Sequence, residues 1–227
     1  MTWWIRKLYK SPTGLVGFLI VAAVVIAAIA APYLSPHDPV SSDRPNKLQP
    51  PLSPGHPLGT DQAGRDILSR IIHGARISLF VGFTAVLAAG ILGTALGLAA
   101  GFFGGWIDTV ISRLVDVWLS FPFILLALTV NAILGMGLRN IIITLILTSW
   151  VVYARLVRGE VLAIKEKEYI EATRALGQST LAIITRHVLP NVFTPIIIMS
   201  SLQMSQVIVA EATISFLGFG VQPPTPA

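Results

Sequence analysis

Five stretches of the chain contain no Asp, Glu, Lys or Arg: residues 11–36, 77–107, 117–138, 140–154 and 187–210. No other feature of the sequence limits the fold as tightly. A helix that crosses the hydrocarbon core of a bilayer needs about 20 apolar residues, and four of the five stretches are long enough. The shorter one, 140–154, is flanked by Arg139 and Arg155, whose charged heads can reach the interface from its ends. Lipid offers the backbone no hydrogen-bonding partner, so these stretches are predicted to be helices. Only 12% of the 227 residues are charged and 54% are hydrophobic. A soluble domain carries roughly 25% charged residues, and this chain has too little polar sequence to cover five apolar helices. The expected class is an all-α membrane protein with five spans.

The spans are placed at residues 14–31, 78–103, 114–134, 140–157 and 191–216. Pro32 is expected to end the first, Phe121-Pro122 to kink the third, and Pro195 to break the fifth near its start. The first apolar run follows Arg6, Lys7 and Lys10, as a signal peptide would. At 26 uncharged residues it exceeds the roughly 7–15 of a signal-peptide core, and it reads as a retained anchor. Residues 32–75 are polar and Pro-rich, with Ser35-Pro36, Pro50-Pro51 and Ser53-Pro54, and read as an extended linker. Within it, Asp61 and Asp66 with Arg65 and Arg70 are expected to organise the approach to the second span as caps and ion pairs. In the second span Gly93, Gly97 and Gly101 recur every fourth residue and share one face, an arrangement that lets helix backbones approach closely in lipid. Gly104-Gly105 closes that helix.

Lys and Arg concentrate before the first span and between the fourth and fifth, at Arg155, Arg158, Lys165, Lys167, Arg174 and Arg186. Five spans put both regions on one side, which the positive-inside rule makes cytoplasmic. Arg44, Lys47, Arg65, Arg70 and Arg76 fall on the opposite side and weaken the asymmetry.

Several chemistries are not supported. The chain has no cysteine, hence no disulfide or thiolate site. No Gly-x-x-x-x-Gly-Lys-Ser/Thr phosphate loop is present, so ATP hydrolysis is not expected on this chain. No nucleophile–base pair suggests an intramembrane enzyme. The four histidines, at 37, 56, 73 and 187, are scattered. His56 and His73 are the weakest of the candidates, as a metal pair, and no metal site is assigned. Asp116 and Glu211 lie in or near spans and are candidates for a transport pathway or a subunit interface. The structural alternative is a paired charge, with Arg113 close enough in sequence to serve Asp116. An ion-gradient-driven secondary transporter or channel subunit is the alternative function. It would call for carboxylates near the bilayer midplane, whereas Glu211 is off-centre in its span.

The most informative segment is 158–190. Residues 168–176 are good helix formers with Glu168 and Glu171 at the start, where the helix dipole favours acids. Ile170, Thr173, Leu176 and Gly177 are expected to share a face, and Gly177 permits a tight turn. A second short helix over 179–187 leads back to the membrane at Leu189-Pro190. Such an element either fits a groove on a partner or is an ordinary solvated loop.

The residues Glu171-Ala172-Thr173, Gly177 and Leu189-Pro190 resemble the EAA loop of binding-protein-dependent ABC importer permeases. That pattern runs Glu-Ala-Ala, three residues, Gly, nine residues, Ile-x-Leu-Pro; here Thr173 replaces the second Ala and His187 occupies the Ile position. The segment His56-Pro57-Leu58-Gly59-Thr60-Asp61, followed by Gly64-Arg65-Asp66, Ser69-Arg70, Gly74 and Arg76-Ile77-Ser78-Leu79, is similar to the C-type subunits of the dipeptide/oligopeptide/nickel group. Ser120-Phe121-Pro122, Arg186-His187, Pro190-Asn191 and Ser215-Phe216-Leu217-Gly218 fit the same group.

The resemblance implies an ABC type I importer transmembrane fold. It implies residues 1–35 as cytoplasmic tail and first helix, 36–75 as an extracytoplasmic linker, and 76–227 as the transmembrane domain with its coupling loop at 158–190. Glu168, Ile170, Glu171, Ala172, Thr173, Leu176 and Gly177 become the expected ATPase-docking residues. The implied partners are a homologous B-type permease subunit, two ATPase subunits that carry ATP and Mg, and an external substrate-binding protein. No cofactor is expected on this chain, no nucleic acid as partner, and the location is a bacterial or archaeal inner membrane with the N-terminus cytoplasmic. Members of the group have a sixth span after a Trp-Gly pair, and the sequence stops at Ala227 where that would begin, so the domain is expected to be incomplete.

Overall fold

In the computed structural model, residues 11–220 are described; Arg6, Lys7, Lys10 and the Pro-rich tail from Val221 lie outside them. The described residues divide into two compact units, 11–80 and 81–220. Among the described residues the ordered elements are helical. They are α1 (Pro12–Ile29), α2 (Ala31–Leu34), α3 (Ile67–Phe103), α4 (Gly105–Leu119), α5 (Phe123–Leu134), α6 (Leu138–Lys165), α7 (Glu168–Ala175), α8 (Thr180–Ile183) and α9 (Leu189–Ile214). π-Helical turns over Ile184–Val188 and Ser215–Phe219 join α8 to α9 and extend α9, so that a helical run starts at Thr180 and leaves helical geometry at Gly218, whose φ is +90°. Among the described residues, four helices are long and apolar enough to cross a membrane, or five if the bent pair α4–α5 makes one span.

In the first unit, Ser11 caps α1 by accepting from the Gly14 amide at 3.2 Å, as short hydroxyl residues do at helix starts. Pro32 does not simply stop the chain. It sits in the first turn of α2, where its missing N–H costs nothing. The polar segment that follows is not an extended linker. Thr60 Oγ donates to the Asn46 carbonyl (2.5 Å) and accepts from the Gln49 amide (2.9 Å). The Leu48 amide reaches the Asp61 carbonyl at 3.2 Å. Gly59 has a φ of +79°, and a Cβ there would meet the backbone of Gln49 and Pro50, so this crossing needs a glycine.

The start of α3 shows the expected caps. Asp66 accepts from the Ser69 amide (2.8 Å) and hydroxyl (2.6 Å), and Asp61 pairs with Arg65 at 2.8 Å and Arg70 at 3.8 Å. Burial pushes the Asp61 carboxyl up, but the Arg65 and Ala63 amides and the Arg65 guanidinium outweigh it, leaving the pKa below the ordinary value. Asp66 behaves alike: desolvation is overcome by bonds from Ser69 and His56 and by the field of His37. With Asp66 as cap, α3 begins eleven residues before the expected 78, because nothing between Asp66 and Ser78 breaks a helix.

The second unit is built around α6, which buries Ile141, Leu145, Trp150, Tyr153, Ala154, Val157 and Val161 among others. The glycine stripe of α3 lies directly against it. A Cβ on Gly97 would stand 2.6 Å from the Ala154 carbonyl oxygen and 2.9 Å from Val157 Cβ, and one on Gly101 would stand 2.8 Å from Val161 Cβ. Close helix approach is therefore what the four-residue spacing provides. Trp118 Nε1 of α4 donates to the Leu147 carbonyl of α6 at 2.6 Å. Tyr153 of α6 and Ser200 of α9 join their hydroxyls at 3.2 Å.

Two expectations about proline change here. The third span is not one kinked helix over 114–134: α4 and α5 meet at 94°. Pro122 stands at the N-cap of α5 with extended ψ of 128°, and a proline cannot continue the helical hydrogen bonding from α4. Pro195, by contrast, lies inside α9 without ending it. A π turn precedes α9, and near its start the Asn191 side chain donates to the His187 carbonyl at 2.6 Å.

Candidate functional site

The segment between α6 and α9 is held by apolar anchors. Ile170 of α7 and Ile183 of α8 are buried in one cluster with Phe102, Val157, Val161, Ile164, Val188 and Val192. Burying an isoleucine completely is worth about 1.5–3 kcal/mol, so α7 is fixed to the ends of α3, α6 and α9 rather than tethered loosely. Lys165 closes the arrangement by donating to the Phe102 carbonyl at 2.8 Å, a cation placed on the negative end of α3.

The turn after α7 follows from its sequence. Gly177 has a φ of +77°. Its amide donates to Arg174 O at 3.0 Å, and the Gln178 amide donates to Thr173 O at 3.3 Å. These are the two bonds of the Schellman motif, in which a left-handed glycine ends a helix. A Cβ on Gly177 would meet nothing within 4 Å, so backbone conformation, not space, calls for glycine. Ser179 then caps α8 by accepting from the Ala182 amide, and His187 meets Gln178 Oε1 at 3.2 Å. The expected second helix over 179–187 is instead the start of the long run into α9.

The predicted docking residues separate by exposure. Ile170 is fully buried, whereas Leu176 is 86% exposed and Glu168, Glu171, Ala172 and Gly177 are exposed beside it. Thr173 is half-buried and bonds back to the Tyr169 carbonyl. Ile170 and Leu176 thus do not share a face. Six residues at about 100° each place them roughly 120° apart, and the helix ends at Ala175 before Gly177 could return to the face of Ile170.

Asp116 is exposed and lies 3.7 Å from Arg113, the structural pairing that the sequence suggested. Glu211 is only 3% exposed, and its Oε1 accepts from Ser215 Oγ at 2.8 Å. Sequence reading missed the ion pair of Asp108 in α4 with Arg158 in α6, a two-pronged contact in which Arg158 Nη2 lies 2.7 Å from Asp108 Oδ2. A clue was available: Asp108 directly follows the 77–107 run and Arg158 lies one helical turn past the 140–154 run, at ends that five spans place on one side of the membrane.

The chain matches the family of binding-protein-dependent transport system inner membrane components over residues 93–227, and the N-terminal transmembrane domain of oligopeptide transport permease C over residues 2–51. It is 43% identical to the dipeptide transport system permease protein DppC of Alkalihalophilus pseudofirmus, covering 97% of this chain and 72% of that one. Identity to the glutathione transport system permease protein GsiD of Pectobacterium atrosepticum is 40%, over 97% of this chain and 73% of the relative. Among solved structures, the inward-facing MetNI methionine ABC transporter shares the fold with a TM-score of 0.60 at 22% identity, over 67% of this chain and 76% of that one. The apolar helices, the fold and these relatives lead to one conclusion: the chain belongs to the inner-membrane components of binding-protein-dependent transport systems, as a multi-pass permease subunit of the C type from an ABC importer.

Proposed function

We propose that α7 and the Gly177 turn form the coupling element that seats in a cleft of an ATPase subunit and carries its closure to the spanning helices. The observation that carries this reading is the division of the short helix, with Ile170 buried in the cluster that joins α3, α6 and α9 while Leu176 and Glu171 project outward. A push on the outward residues is thereby delivered to three long helices at once. The chain would pair with a homologous B-type permease, with two ATPase subunits holding ATP and Mg, and with an external binding protein that delivers a dipeptide or related small substrate. The dipeptide and glutathione relatives support that substrate class. The N-terminus and the 158–190 segment lie on the cytoplasmic side in this reading, as the Lys and Arg distribution favours.

The test is a set of substitutions in the assembled transporter, with ATP hydrolysis and uptake measured together. Gly177→Val forces a β-branched residue to positive φ, and should uncouple hydrolysis from uptake or release the ATPase. Gly177→Asn tolerates that conformation and should retain coupling. Glu171→Arg should lose coupling with the fold intact. Normal ATPase association and normal uptake in both Gly177→Val and Glu171→Arg would rule the mechanism out.

A further inference from the structure

We propose that His37, His56 and Asp66 form a binding site for a divalent transition-metal cation of the zinc type. The three come from separate places in the first unit: the loop after α2, the turn near Gly55, and the cap of α3. One ligating atom from each lies within 4.8 Å of the other two. Their convergence is built by the backbone. The His37 amide donates to Ser69 Oγ at 3.1 Å, and that hydroxyl donates to Asp66 Oδ2 at 2.6 Å. Ser69 thus ties the His37 strand of chain to the carboxylate. His56 Nδ1 lies 2.9 Å from Asp66 Oδ1, and the two imidazoles stack with centroids 4.6 Å apart.

The chemistry suits a borderline-soft cation. Imidazole nitrogen and carboxylate oxygen are zinc ligands at about 2.0–2.2 Å, which puts tetrahedral ligands roughly 3.3 Å from one another. The His56–Asp66 separation of 2.9 Å is near that value, and His37, exposed and outside any helix, is the ligand that must close in. The Asp66 side chain is 0% exposed and accepts from Ser69 and His56; a bound cation would take the place of the proton between His56 Nδ1 and Asp66 Oδ1, since metal binding requires deprotonated ligands. The neighbouring Arg65 and Arg70 are both turned to Asp61, so neither guanidinium is spent on this site. Three protein ligands leave a fourth position open on the exposed side of His37. Loaded, the ion would staple the chain at 37, 56 and 66 and fix the polar segment to the start of α3. This inference does not depend on the coupling reading.

The full chain, purified in detergent without a polyhistidine tag, is titrated with Co2+ followed by Zn2+, against a chromophoric chelator for affinity. One equivalent of Co2+ should bind with the absorption of a low-coordinate site, and Zn2+ should displace it. His37→Ala changes only an exposed side chain and should weaken Zn2+ binding by at least the tenfold that loss of an outer-shell partner costs. Zn2+ should also raise the melting temperature of the wild type and not of that variant. His73→Ala, at a histidine bonded instead to the Ser69 carbonyl at 3.1 Å, should bind as the wild type does. The proposal is overturned by absence of stoichiometric binding, by unchanged affinity in His37→Ala, or by loss of the site in His73→Ala.

Discussion

Replacing Gly97 and Gly159 by alanine should shift stability in opposite directions, although the chemical change is the same and both residues are helical. At Gly97 the new methyl would stand 2.6 Å from the Ala154 carbonyl oxygen, 2.9 Å from Val157 Cβ and 3.1 Å from the Arg158 amide. Ordinary contact begins near 3.4 Å, and two of these three neighbours are backbone, which cannot rotate away. The α3–α6 pair must open by several tenths of an ångström, with a cost of about 1–3 kcal/mol as for other overpacked interiors. Against this, alanine is favoured over glycine inside a helix by about 1 kcal/mol. The net change at Gly97 is about 0–2 kcal/mol destabilising. At Gly159 nothing lies within 4 Å of the new methyl, so only the propensity acts, and the variant should gain about 1 kcal/mol. The two variants should then differ by about 1–3 kcal/mol, or about 2–12 °C in melting temperature for a domain of this size. Thermal unfolding of the purified chain in one detergent, read by tryptophan fluorescence, gives the comparison directly. A Gly97→Ala protein as stable as Gly159→Ala, or more so, would refute the close-approach reading of the stripe.

Two further outcomes are expected. Asp108→Asn removes the charge that Arg158 meets across α4 and α6; with Arg158 37% exposed, the loss should be about 1–2 kcal/mol, below that of a fully buried charged bond. The distance between spin labels on α4 and α6 should broaden in that variant, and an unchanged distribution would show the pair to be incidental. Asp61 and Asp66 both have folded pKa values below the ordinary 3.8. Their contribution is therefore present above about pH 4 and is lost as pH falls through the folded values. Pepsin should begin to cut within residues 43–69 as the pH drops below 4, and Asp61→Asn should be cut at higher pH than the wild type. Equal susceptibility of the two proteins would argue against that linkage.

Local chemistry was legible in the sequence. The charge-free runs fixed the membrane class and placed the long helices, because burial in lipid depends on composition over about 20 residues and on little else. Gly177 announced its turn and Asp66 its cap, because both act on backbone within a few positions. The four-residue glycine spacing pointed to a close-packed face for the same reason. Tertiary structure decided what depends on residues far apart in the chain. Pro122 marks a break, but the bend of 94° between α4 and α5 is a tertiary feature whose size the proline alone does not set. Ile170 and Leu176 looked equivalent as apolar residues of one short helix. Only the cluster supplied by Phe102, Val157 and Val192 determines that one is an anchor and the other a surface. Arg158 found Asp108 fifty residues away, and His56 found His37 and Asp66 rather than His73. Such pairings arise from the folding back of the polar segment on itself and from α6 passing beside α4, and no sequence period encodes them.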